Sequence, residues 1–222
     1  MKEKLNKIRK PAQYSKKSNF IIFFISVVLT GFIMGVVSKY SDTVASNDGM
    51  YGAVLHSISY ITTELGIWIF IASIIAMYSY KPMHAMMNSI GFFLSMLTSY
   101  YLYSRYVCGF YSTKVILYWV VIALLSSICA WIVWYGKGNG WLSDIFASLP
   151  IAVLFKLGYR YYDGVLDAQS ITGLLDLLCA FILLILLSIG NARMKIIKVL
   201  AFAIIISLIS NRIGIINIIY GV

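Results

Sequence analysis

A chain of 222 residues that is 61% hydrophobic and only 12% charged lies far outside the range of soluble domains, in which about a quarter of the residues are charged. Its formal charge of +10 does not point to nucleic acid, because seven of the 18 Lys and Arg fall between Lys2 and Lys17, directly before an apolar run. Such a cluster reads as a topology signal and a contact for anionic lipid headgroups.

Residues 1–18 are therefore expected to form a basic cytoplasmic segment, and residues 19–222 a single transmembrane helical domain. Spans of about 20 apolar residues, separated by Gly, Pro, charge and polar clusters, give seven candidates: 19–38, 53–80, 85–104, 115–135, 142–160, 171–190 and 196–219. The fold class expected is an all-α, polytopic transmembrane bundle of seven helices, or six if two segments merge, multi-pass in the cell membrane. With the N-terminus inside, twelve Lys and Arg lie on the cytoplasmic side and six on the other, which favours that orientation.

Taken in chain order, the first segment contains Gly31 and Gly35, a GxxxG spacing that lets two helices approach closely and reads here as packing within the chain. The second is too long for a ~30 Å hydrocarbon core at 1.5 Å per residue, so its first two turns are expected to lie at the interface or bend away. On it, His56, Tyr60 and Glu64 follow i, i+4, i+8 spacing and share one helical face. The third carries a polar stripe of Asn88, Ser95, Ser99, Tyr103 and Tyr106. In the fifth, Asp144 reads as an N-terminal cap and helix-dipole partner. Pro150 removes a backbone donor in the middle of the same segment and predicts a kink.

Ionisable groups inside hydrocarbon are costly, by about 2.5–3.5 kcal/mol each on insertion scales, so each must be shielded or paired. Glu64, Lys156, Asp176 and Arg212 are four such groups, all at about 6–11 Å below the outer boundary by helical rise. Two acids and two bases at one depth can cancel as structural ion pairs, or can face a shared polar cavity. With His56, Tyr60 and Tyr103 they would form a ligand-binding pocket for a small polar or aromatic solute. No catalytic constellation, metal-ligand spacing or cofactor motif is present in the sequence.

The stretches YSYKPMHAMMNSIGFFLSMLTSYYLYSR, YWVVIALLSS and WLSDIFASLPIAVLFKLGY resemble an uncharacterised family of small polytopic bacterial membrane proteins. In size and in its outward polar site the chain is also similar to the substrate-binding membrane subunits of energy-coupling-factor importers, which usually have six helices. That resemblance implies solute binding in a transport-related subunit. A different expectation is a non-enzymatic accessory or immunity-type membrane protein that contacts another membrane subunit through the GxxxG face. The lipid bilayer is the partner common to both, and nucleic acid is a partner in neither.

Overall fold

The computed structural model describes residues 7–11, 17–44, 49–158, 168–189 and 193–213. Among these residues there are eight helices and no strand. In chain order they are α1 (Lys17–Val44), α2 (Met50–Thr63), α3 (Leu65–Tyr78), α4 (Pro82–Tyr106), α5 (Thr113–Gly136), α6 (Trp141–Gly158), α7 (Ala168–Ser188) and α8 (Arg193–Ile213). The eighth helix corrects the expected count of seven. It arises because the second segment breaks in two at Glu64, with a bend of 68°.

Among the described residues three helices are long and apolar enough to cross a membrane, at Asn19–Thr43, Thr113–Gly136 and Trp141–Gly158, or four if α2 and α3 together form one bent span. Seven such spans were expected. The shortfall has a compositional reason: α4 carries His84, Asn88, Ser89, Ser95, Thr98 and Ser99, and α8 carries Arg193, Lys195, Lys198 and Arg212. In α7 the apolar helix within the described residues is the shorter stretch Thr172–Ser188. The apolar helices are compatible with an integral membrane protein.

Contacts divide the chain into two compact units. Pro11–Trp134 forms the N-terminal unit, and Met1–Lys10 joins Tyr135–Val222 in the C-terminal unit. In the N-terminal unit the central seam lies between α1 and α4. A Cβ added at Gly31 would collide with Ser95 Oγ and the Phe92 carbonyl, and one at Gly35 with Ser99 Oγ and the Met96 carbonyl. The two glycines thus let α4 come against the α1 backbone, as small-residue spacing allows. Ser95 Oγ lies 2.8 Å from the Val28 carbonyl and 2.9 Å from the Phe92 carbonyl, so its proton is shared across the seam.

Beside the seam is a core of Val27, Trp68, Ile75, Phe92, Phe93, Met96, Leu97 and Ala123. At the end of α3, Trp134 Nε1 donates to the Ser79 carbonyl (2.8 Å) and Asn88 Nδ2 donates to Ser79 Oγ (2.8 Å). A helix end leaves carbonyls without partners, and the indole supplies one here. Pro82 begins α4 where its missing N–H costs nothing.

The C-terminal unit is built on α6, which packs against both α7 and α8. It continues through Pro150, which is buried. Gly140, with φ 97°, turns the chain into α6 so early that Asp144 lies inside the first turn, its N–H bonded to the Gly140 carbonyl (3.1 Å). This corrects Asp144 as the cap, while an acid in the first turn still complements the helix dipole.

The C-terminal end of α5 is closed by side chains from α6 and α8. Ser143 Oγ approaches the Tyr135 and Gly136 carbonyls at 3.1 and 2.9 Å. Lys195 Nζ, on a side chain only 6% exposed, donates to the carbonyls of Gly136 (2.9 Å) and Gly138 (2.6 Å) and to Ser143 Oγ (3.2 Å). A cation at a helix C-terminus meets both unpaired carbonyls and the negative dipole end. The same turn holds the N-terminal segment, through Asn139 N–H to the Ile8 carbonyl (2.8 Å). Desolvation first, and then the positive charge of Arg9, hold the Lys137 ammonium below its ordinary pKa.

Candidate functional site

The break between α2 and α3 has a local cause in three consecutive residues. Thr62 Oγ1 donates to the Ile58 carbonyl (3.0 Å) and Thr63 Oγ1 to the Ser59 carbonyl (2.9 Å), loading with hydroxyls the acceptors that a straight helix reserves for backbone N–H groups; such back-bonding bends helices. Glu64 then adopts extended backbone, with φ −81° and ψ 151°. In an unbroken helix the Thr62 carbonyl would receive the N–H of Gly66. Here it receives Trp68 Nε1 instead, at 2.9 Å, from an indole 2% exposed. The break is therefore held by a specific buried bond.

Opposite it stands the last turn of α1. Asp42 Oδ1 accepts from Ser59 Oγ (2.6 Å) and Oδ2 from the Tyr100 hydroxyl (3.3 Å), so one carboxylate ties α1 to α2 and α4. Between these elements lies a cavity of about 210 Å³. Its polar lining is Ser38, Asp42, Thr62, Thr63 and Tyr100, and its apolar lining is Trp68, Met96, Leu97, Val115, Ile116 and Trp119. Five helices, α1 to α5, contribute. The Trp68 and Trp119 rings lie 6.3 Å apart at 79°.

The expected ligand residues fall as follows. Glu64 sits at the break, next to the lining residue Thr63, but is not among the described residues that line the cavity. Its extended backbone takes it out of the helical face that His56 and Tyr60 share; those two rings touch edge to face at 4.8 Å. Tyr103 is half-buried on α4, three residues beyond Tyr100. In the C-terminal unit, Lys156 Nζ donates to the Ser210 carbonyl (3.3 Å), and Asp176 is buried at 4% exposure. The side chain of Arg212 lies outside the described residues. The α4 stripe divides: Ser95 and Ser99 meet α1 in the glycine seam, Asn88 binds Ser79, and Tyr106 is exposed.

Sequence reasoning missed Asp42, Ser38 and Tyr100. The first expected span ends at residue 38, whereas α1 continues to Val44. The available signal was the i, i+4 spacing of Ser38 and Asp42, which puts both on one helical face. Comparisons with protein-family models, with curated proteins and with solved structures each find no match for the chain.

Proposed function

We propose that the chain is a multi-pass membrane protein, N-terminus cytoplasmic, that binds a small solute in the cavity beside the α2–α3 break. Membrane residence is supported by apolar helices with little protein around them. The most apolar 18-residue stretches of α1 and α5 are each only 17% buried. Ile22, Leu29, Ile33 and Leu117 are each more than half exposed. Contiguous apolar faces of that kind suit lipid. The orientation is supported by the contact of the basic N-terminal segment with the turn at Lys137, since both belong to the positively charged side.

One observation carries the solute-binding reading: a helix broken beside a cavity whose lining is partly polar and partly apolar. Irregular backbone at membrane depth is tolerated where it borders protein or a water-filled space, and discontinuous helices mark the binding sites of many transporters. The volume is small beside the ~300–1,000 Å³ of drug-sized sites, which favours a small solute.

The test is a thermal-shift screen of small solutes on the purified protein in detergent. A ligand at about 100 times its Kd adds about 2.7 kcal/mol to the stability of the native state. Thr63 is exposed and lines the cavity, so Thr63→Trp should fill the space and abolish the shift, with the unliganded melting temperature measured alongside to show that the variant folds. A solute whose shift survives Thr63→Trp binds elsewhere and refutes the assignment.

A further inference from the structure

We infer that the solute taken by this cavity is a small organic cation, an alkylammonium, with Asp42 as its counter-ion; this rests on the cavity being a solute site. The Asp42 carboxylate meets two hydroxyls, Ser59 at 2.6 Å and Tyr100 at 3.3 Å. Hydroxyl donors orient a carboxylate and bring no positive charge. Among the described residues Asp42 forms no ion pair, and no Lys, Arg or His is among those lining the cavity. Lys39, the nearest cation in sequence on the same helix, has its Nζ over the Tyr100 ring, 5.2 Å from the centroid.

The backbone adds to the same sign. Thr62 and Thr63 line the cavity at the C-terminal end of α2, where the helix dipole is negative, while α3 contributes Trp68 from its second turn. Half-helix C-terminal ends are used in this way to hold cations. The remaining polar lining is hydroxyl, and the aromatic walls are Trp68, Trp119 and Tyr100. The two indoles meet edge to face, 6.3 Å apart at 79°, and aromatic rings in a lining can attract an ammonium group, Trp most strongly. A bare metal ion would gain little from those rings, whereas an alkylammonium uses both the carboxylate and the aromatic surface.

The experiment measures binding to the purified full-length protein by calorimetry and melting, at constant ionic strength, with three probes. Two are cations, choline and propylammonium, and the third is 3,3-dimethylbutan-1-ol, the uncharged carbon isostere of choline. At least one cation is expected to bind about tenfold or more tightly than the isostere. In Asp42→Asn, which removes the charge and keeps one of the two acceptor oxygens, that preference should vanish, with the unliganded melting temperature measured as the check on folding. The wild-type comparison of choline with its isostere stands by itself should the variant fail to fold. Equal binding of choline and the isostere, or undiminished choline binding by Asp42→Asn, overturns the cationic assignment and leaves the cavity as a solute site. If neither cation binds while a neutral solute does and is lost in Thr63→Trp, the cation assignment alone falls. If no solute of any class binds, both fall.

Discussion

Lys195 of the C-terminal unit and Asp42 of the N-terminal unit are charged side chains on helices of the same apolar chain, and the fold treats them in opposite ways. Lys195 is buried and its three donors are taken up by two carbonyls and a serine hydroxyl of its own unit. Asp42 is exposed, meets only hydroxyls, and lines a cavity. A buried charge whose hydrogen bonds are all made holds structure together; one left with neutral partners beside open space can serve a ligand. The helix ends differ in parallel. In the C-terminal unit the end of α5 is closed by Ser143 and Lys195, whereas the end of α2 is opened by Thr62, Thr63 and Glu64 and closed only in part, by Trp68.

The strongest test of that contrast is Lys195→Met. It removes the donor from the carbonyls of Gly136 and Gly138 in a buried setting, and should cost about 3 kcal/mol of unfolding free energy in micelles. A loss below ~1 kcal/mol would show that Lys195 does not carry the C-terminal unit, and the contrast with Asp42 would fail.

Next in size is Gly35→Leu, in the seam of the N-terminal unit. The added side chain meets Ser99 Oγ and the Met96 carbonyl, so α1 and α4 must separate, at about 2 kcal/mol. Because Gly31 and Gly35 are covered by α4 within one chain, the protein should remain monodisperse at its wild-type size by light scattering. A change of oligomeric state instead would move the seam from packing to partner binding.

The smallest effect is expected for Lys137→Gln. Desolvation and Arg9 depress the Lys137 pKa in the folded state below the ordinary lysine value of 10.5. A base with a depressed folded pKa costs stability while it is charged, and the cost disappears as pH rises through the folded value to the unfolded one. The variant should therefore be more stable than the parent at pH 7, by under ~0.5 kcal/mol, and the two melting curves should converge as pH approaches 10.5. A gap that widens with pH would reverse the sign of the effect.

How far the sequence is legible varies residue by residue. The apolar stretches, the basic N-terminus and the close approach at Gly31 and Gly35 follow from local composition and spacing, because each depends on residues near one another in the chain. The α2–α3 break was half visible: excess length predicted a bend in the second segment, but not that it falls at Glu64. What sets the place is back-bonding by Thr62 and Thr63 together with an indole that takes over one carbonyl. The polar stripe on α4 shows the limit of periodicity, since Ser95 and Ser99 lie on the face required and yet meet helix α1 and not a cavity. The four charges expected at one depth are similarly beyond a count along single helices, as Lys156 finds the carbonyl of Ser210 on α8.

The sequence by itself determined that the chain is helical, apolar and asymmetric in charge, because hydropathy and the 3.6-residue period are local properties that no packing partner can reverse. Only the tertiary structure decided which polar groups are used up and which remain available. Hydrogen bonds such as Asp42 to Tyr100 and Lys195 to Gly136 join residues 58 and 59 positions apart, and a side chain's partners there are set by which helices meet, not by the residues beside it in the chain.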